Sequence, residues 1–425
     1  MPSCTAPFLS YFQRVESARA PGAERLRHAL VDQLAAERSI RTPRVEAALR
    51  AVPRHLFVPS VPLQRAYAND VVQTKLDDRS APISAASQPS IVARMLEQLD
   101  VQSGDRVLEI GAGTGYNAAL LGYLAGPRGE VTTIDLDADI VEGARAALTT
   151  VACRGVAVVE GDGALGYPGR APYDRIIATV GAWDLPHAWL DQLGPAGRLV
   201  VPLRLRGSVT RSIAFERVPD SDGDPRWHSV STEMCSFMPL RGGIADDPRW
   251  DISLVPDGSV TLSVHQDQHV DERSLKDALN RPCGQEWTGI TFASAPEESA
   301  EWLAVWLTCA LHHPLCRMTV RRQAIDSGAV APVFTWGSMA TVEGASLAYL
   351  TSRPVGDGRR EVGVVGHGPR GGTLAREVTA QACTWNGRYR SATARFTLQP
   401  VTATGPKTSH FTLRTPHAWL AIDWQ

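Results

Sequence analysis

Residues 108–116 read LEIGAGTGY, three glycines spaced two apart between apolar stretches, and this loop decides the fold. The segment before it, RVLEIG (106–111), has the short, nearly continuous apolar character of a buried strand, and NAALLGYLA (117–125) after it reads as a helix. Glycines at 111, 113 and 115 let the backbone turn sharply and approach a ligand closely. The helix that follows offers unpaired N–H groups at its first turn.

The alternation continues on both sides. SIVARMLEQLD (90–100) and DADIVEGARAALTTV (137–151) carry helical spacing, whereas EVTTID (130–135), VAVVEGD (156–162), YDRIIATV (173–180) and GRLVVPL (197–203) read as buried strands. Apolar strands separated by helices call for a parallel sheet covered on both faces, so residues 89–217 are expected to form a doubly wound, Rossmann-like α/β domain. Ahead of it, ERLRHALVDQLAAERSI (24–40) and TPRVEAALRAV (42–52) predict two helices, the second with Thr42 as N-cap and Pro43 at its first position. Residues 23–88 are read as a helical cover and cleft segment, and residues 1–22 as a loosely ordered lead.

Beyond residue 218 the texture changes. VPDSDGDPRW (218–227) reads as a connector, DISLVPDGSVTLSVH (251–265) as a hairpin turning at Asp-Gly, and PEESAEWLAVWLTCALHH (296–313) as one convincing helix with Trp302 and Trp306 on its buried stripe. Further strands are expected in ASLAYLTSRP, REVGVVGHG and ARFTLQP. Residues 218–425 are therefore expected to form a separate C-terminal α+β domain. Trp336 in FTWGSMA and His367 in the glycine-rich GHGPRGG are its candidates for a peptide-contacting surface.

A net charge of −2 argues against a broad nucleic-acid footprint, and no run reaches the ~20 apolar residues of a membrane span. Seven cysteines without CxxC spacing suggest neither a disulfide framework nor a metal site, and a reducing cytoplasm is the simplest compartment.

The loop also selects its cofactor. A dinucleotide site spaces its glycines G-x-G-x-x-G to seat a pyrophosphate, but here the spacing is G-x-G-x-G and Glu109 precedes it. A carboxylate repels a pyrophosphate and attracts an ammonium, which favours S-adenosylmethionine. Asp135, ending the second strand, suits ribose hydroxyls, and Asp162, after the third, suits the adenine edge. An anionic acceptor for the methyl group needs no general base, whereas an amine or hydroxyl does.

AVPRHLFVP, AYAND, SQPSIVARMLEQLDVQSGDRVLEIGAGTGYNAALL, VVEGDGALGYPGRAPYDRIIATVGAWDLP and LVVPL together resemble the protein-L-isoaspartate O-methyltransferase family over roughly residues 24–203. The resemblance implies S-adenosylmethionine held by Glu109, Gly111, Ala112, Gly113, Gly115, Asp135, Leu136, Asp162 and Gly163. It implies a substrate carboxylate held by Ser87, with Ser84, Ala85, Ala86, Val180, His55, Tyr67 and Asp70 around the cleft. Ala85 and Ala86 stand where the family usually has Thr-Ile.

Family members of the repair type end near LVVPL, whereas this chain continues. CSFMPLRGG, WTGITF, VFTWGSMA, ASLAYLTSRP and GVVGHGPRGG resemble the C-terminal half of longer methyltransferases associated with lanthipeptides, the FxLD-system group. That resemblance implies methylation of an aspartate in a lanthionine-bridged precursor peptide, then closure to a succinimide that opens to isoaspartate. Isoaspartyl repair, methylation of a small carboxylic acid, and an inactive binding protein on the same fold are the alternatives.

Overall fold

The computed structural model describes residues 22–78, 82–218, 225–242, 249–265, 268, 270–276, 278–281, 283–293, 301–334, 336–406 and 408–425. The expected N-terminal lead, most of the 218–227 connector and the first five residues of the 296–313 helix lie outside these residues.

Two helices, α1 (Ala23–Ala36) and α2 (Pro43–Ala51), open the chain, and the Thr42 side chain accepts from the Val45 N–H at 3.4 Å as the N-cap reading requires. A hairpin of β1 (Val72–Leu76) and β2 (Pro82–Ala86) follows, then α3 (Pro89–Leu99). The alternating region supplies β3 (Arg106–Ile110), α4 (Tyr116–Ala125), β4 (Glu130–Asp135), α5 (Ala138–Thr150), β5 (Val156–Glu160), β6 (Tyr173–Ala178), α6 (His187–Gln192) and β7 (Leu193–Arg206). Strands β5, β4, β3, β6 and β7 lie side by side in that order, all parallel. The order reverses at β3, whose carboxyl end is where open α/β sheets bind ligands.

Period-two alternation explains why helices cover both faces. Val107, Ile177, Val200 and Ala214 pack with α1 to α5, while Leu108, Ile176, Leu199 and Ile213 point into a second core on the opposite face. The expectation of a doubly wound sheet with helices at its N-terminal side is thus met.

The sheet does not stop at β7. Strands β8 (Val209–Val218) and β9 (Arg226–Met234) extend it in antiparallel fashion. A separate seven-stranded antiparallel sheet follows: β10 (Arg249–Ser253), β11 (Val260–His265), β12 (Cys283–Ala293), β13 (Cys316–Val320), β14 (Gly337–Glu343), β15 (Ser346–Gly356) and β16 (Arg359–His367). The expected Asp-Gly hairpin is the β10–β11 pair. Helices α7 (Glu301–Ala310) and α8 (Gly371–Arg388) pack between the two sheets, and α8 was not foreseen.

The last strands return to the first sheet. β17 (Ala394–Pro400) pairs with β9, and β19 (Ala418–Trp424) lies between β17 and β18 (Phe411–Arg414). The expected boundary at residue 218 is therefore not a boundary between sheets: β9, β17, β18 and β19 belong to the ten-stranded sheet that carries the glycine loop. Among the described residues, no helix is long and apolar enough to cross a membrane.

Candidate active site

A cleft of about 980 Å³, including its open mouth, lies at the carboxyl end of β3. Its floor is the glycine loop. Gly111 has φ +98°, and a Cβ there would stand 2.8 Å from the Thr179 hydroxyl, so only glycine lets this loop lie against the end of β6. The Thr179 hydroxyl donates to the Ile110 and Gly111 carbonyls at 3.0 and 2.7 Å.

Glu109 projects from β3 and is fully buried. Its Oε1 accepts from the Asn117 amide at 2.8 Å, its Oε2 makes no hydrogen bond among the described residues although the Thr133 hydroxyl lies close, and burial raises its pKa to about 7. An orphaned buried carboxylate oxygen beside a glycine loop is a fitting partner for an ammonium group, as an S-adenosylmethionine site requires. Asp135 at the end of β4 accepts from the Gly113 N–H at 3.0 Å, which orients its carboxylate across the loop.

Of the residues expected at the cofactor, Glu109, Gly111, Ala112, Gly113, Asp135, Leu136 and Gly163 line the cleft. Gly115 and Asp162 do not. Gly115 is the left-handed N-cap of α4 and packs on Ala144. Asp162 caps the turn 163–165 through the Ala164 N–H at 2.9 Å, and a Cβ on Gly242 would collide with its carboxylate, so the chain after β9 passes directly over it.

Ser84, Ala85, Ala86, Ser87 and Val180 line the opposite wall of the same cleft. The other residues expected near the substrate do not. His55 Nδ1 and the Tyr67 hydroxyl, 2.8 Å apart, form a buried pair, and burial lowers the His55 pKa. Asp70 is held on the surface by Arg65, whose hydrogen bond keeps its carboxyl below the usual range. Trp336 is exposed in the turn before β14, stacked on Phe334 at 5.1 Å.

His367, expected at an accessible surface, is instead 6% exposed and stacks on Tyr349 at 5.8 Å. The glycines around it have a packing role: a Cβ on Gly366 would collide with the Gly371 carbonyl, because α8 begins directly on β16.

Two residues beside the expected ones brace the backbone on either side of the Ser84–Ser87 wall without lining the cleft. Arg54, 1% exposed, donates to the Ala66, Ala86 and Ser87 carbonyls at 3.0, 3.2 and 2.9 Å and so fixes the backbone that presents Ser87. The Asn69 side chain accepts from the Ser90 N–H at 3.0 Å, at the start of α3. Arg54 in PRHLF and Asn69 in AYAND are legible as polar residues in otherwise small or apolar motifs.

The segment Phe237–Arg241, assigned from sequence to the C-terminal half, forms the rest of the cleft. The Gly181 N–H donates to the Met238 carbonyl and the Leu240 N–H to the Gly181 carbonyl, both at 2.7 Å. Arg241 pairs with Asp137 at 2.9 Å, and Lys75 from β1 pairs with the same carboxylate at 2.9 Å. These two cations hold the Asp137 pKa below the usual carboxylate range, Arg241 contributing most.

Residues 24–244 match the family "Protein-L-isoaspartate(D-aspartate) O-methyltransferase (PCMT)". The match runs past the expected end near residue 203 and takes in the Phe237–Arg241 segment. A protein-L-isoaspartate O-methyltransferase of Methanoregula boonei is 42% identical over 216 residues, covering 51% of this chain and 93% of its own. That of Methanopyrus kandleri is 40% identical over 219 residues, covering 51% and 92%. A solved protein-L-isoaspartate O-methyltransferase aligns over 85% of this chain and 92% of its own, at 23% identity and a TM-score of 0.46. The chain belongs to the protein-L-isoaspartate O-methyltransferase family and is an S-adenosylmethionine-dependent O-methyltransferase.

Proposed function

We propose that this enzyme methylates an aspartate side-chain carboxylate in a ribosomally made, lanthionine-bridged peptide, giving an ester that closes to a succinimide and opens to isoaspartate. The observation that carries the carboxylate reading is the composition of the cleft. Among the described residues no His, Lys or Cys lines it, and Ser87 stands on the wall facing the glycine loop. The two carboxylates that line the cleft, Glu109 and Asp135, are read as cofactor anchors, which leaves no base for an acceptor that must lose a proton; a carboxylate is already an anion.

The bound cofactor supplies an electrophilic methyl group. Glu109 and Asp135 are read as its anchors, with Leu136 and Gly163 beside it; Ser87 is read as the hydrogen-bond donor that holds the acceptor oxygen in line. Ala85 and Ala86 leave room beside Ser87, which suits a bulkier, constrained peptide. The chain beyond residue 244, outside the family match, is read as the part that grips that peptide. A reducing compartment such as the cytoplasm is consistent with the free thiols of Cys153, Cys235, Cys309 and Cys383.

Mass spectrometry tests the reading. With S-adenosylmethionine, a bridged precursor peptide is expected to gain about 14 Da, to fall to about 18 Da below its starting mass as the imide closes, and to return to its starting mass as the imide opens to isoaspartate. An isoaspartyl peptide methylated faster than any aspartyl peptide would instead establish the second reading, repair of damaged proteins, which the 42% identity to a protein-L-isoaspartate O-methyltransferase favours.

A further inference from the structure

A second pocket of about 570 Å³, its open mouth included, adjoins the cofactor cleft and shares Phe237 and Pro239 with it as a common wall. It lies where the turn between β7 and β8 abuts the second sheet: the Ser208 N–H donates to the Leu315 carbonyl at 2.7 Å, and its hydroxyl to the Ser263 carbonyl at 3.2 Å. Gly207 makes this approach possible, since a Cβ there would collide with the Leu315 carbonyl.

Strand register gives the pocket its charge. Arg249 lies opposite His265, and Ser263 lies opposite both Asp251 and Arg317. Positions two apart on one strand share a face, so Arg249, His265, Ser263 and Arg317 project together, while Ile252, Leu262, Val264 and Met318 fill the core behind them. Arg204 enters from β7. Three guanidiniums and a histidine therefore meet in a pocket that no described acidic residue lines. Asp251, on the same face, accepts from the Ser263 hydroxyl at 2.7 Å and offsets part of the charge at Arg317. Neither Arg249 nor Arg317 forms an ion pair with a described residue.

Arg317 is the most telling of the group. Its guanidinium lies over the Trp336 ring at 4.7 Å, and Trp336 in turn stacks on Phe334, both rings being exposed. Burial, with Arg249 nearby, lowers its pKa. A partly buried cation of this kind gains most from an anion that binds two N–H groups at once, the geometry of a carboxylate. The exposed Phe334–Trp336 pair at its edge offers a flat apolar surface beside the charge.

We infer that this arginine pocket is a second substrate subsite, which takes an acidic side chain of the peptide at a position removed from the methylated residue. The inference rests on the peptide carboxyl methyltransferase reading: a chain with its acceptor at Ser87 and an acidic residue at Arg317 would lie across the Phe237–Pro239 wall. The subsite selects substrates by charge and leaves the chemistry to the cleft.

Fluorescence anisotropy with the full chain saturated in S-adenosylhomocysteine tests this without turnover. A fluorescein-labelled hexaglutamate peptide is expected to bind at least about tenfold tighter than its hexaglutamine counterpart at low salt. Arg317→Gln and Arg249→Gln should each erode that preference and together abolish it, with S-adenosylhomocysteine affinity unchanged. Arg249 is exposed, so its variant keeps the test valid if Arg317→Gln misfolds. Arg322→Gln, at an exposed position in the segment Arg322–Asp326, should change nothing. Equal binding of the two peptides, or a preference untouched by the Arg317 and Arg249 changes, would overturn the subsite. Methyl transfer, read separately as base-labile methanol from the bridged peptide, reports on the carboxyl reading alone.

Discussion

At the end of β3, burial holds the Glu109 pKa near 7, well above the 4.5 of a free glutamate. An acid whose pKa is raised by folding is bound to its proton more tightly in the native state, so Glu109 costs the cofactor-free protein stability as pH rises from 4.5 towards 7. An ammonium beside the carboxylate favours the ionised form, so the same titration appears in binding. Calorimetry is expected to show S-adenosylhomocysteine affinity rising about fivefold between pH 6 and 7, with proton release, then levelling off. Glu109→Gln should bind weakly with no such slope; a slope that survives the change would remove Glu109 from the ammonium site. Ser87 is proposed to hold the acceptor. Ser87→Ala is expected to lower kcat/KM about 10- to 100-fold, the scale of one hydrogen bond to a charged group, at unchanged cofactor affinity. Weaker cofactor binding instead would contradict its place at the acceptor. Arg54→Gln acts one step further back: losing its bonds to two buried carbonyls and the partly buried Ser87 carbonyl is expected to cost about 2–4 kcal/mol of stability in chemical denaturation and to lower kcat.

Among the elements, the cofactor cleft is closed by ion pairs that gather on one helix start. Asp137 precedes α5 and receives Lys75 from β1 and Arg241 from the segment after β9, so the hairpin wall and the far wall are tied to the same carboxylate. All three side chains are partly exposed, which limits each pair to a modest effect. Arg241→Ala is expected to speed S-adenosylhomocysteine dissociation about two- to fivefold in stopped-flow, and raising salt should erase the difference between variant and parent. Equal rates at low salt would show that the segment is held by its Gly181 backbone bonds alone. The elements that bear the cofactor were legible in the sequence because each has a strong local signature: buried strands, a glycine loop, and carboxylates at strand ends. The Phe237–Arg241 wall was not, because its role is set by a backbone bridge to Gly181 across the fold. The hairpin β1–β2 was missed because Ser84–Ser87 has small side chains and no alternation. Helix α8 was missed because it begins Gly-Gly and carries threonines, although Leu374, Ala375, Val378, Ala382 and Trp385 form its buried stripe. In the motifs around His55 and Asp70, it is the neighbours Arg54 and Asn69 that bond the backbone at Ser87 and Ser90, a role that depends on tertiary contacts and leaves no local signature.

For the whole molecule, the decisive feature is that the chain leaves the first sheet after β9, builds the second, and comes back with β17 to β19. No reading of local pattern reveals such a return, since β17 looks the same whichever sheet it joins. Its consequence is a shared core: Ile213 and Phe215 of β8, Leu307 of α7, Trp385 of α8 and Phe396 of β17 pack in one cluster. Trp306 of α7 stacks on Tyr389 at 4.6 Å and meets Trp424 of β19 edge-on at 5.9 Å. Domains with separate cores unfold separately, whereas a core contributed by both sheets couples them. Calorimetry of the full chain is therefore expected to give one unfolding transition, shifted upward as a whole by saturating S-adenosylhomocysteine, although no strand of the second sheet lines the cleft. Trp306→Ala, a buried aromatic truncation far from the cofactor, is expected to cost about 3–5 kcal/mol and to lower that same transition. Two resolved transitions, with only one responding to the ligand and the other to Trp306→Ala, would show that the sheets are independent and that the arginine pocket between them is not a rigid extension of the active site.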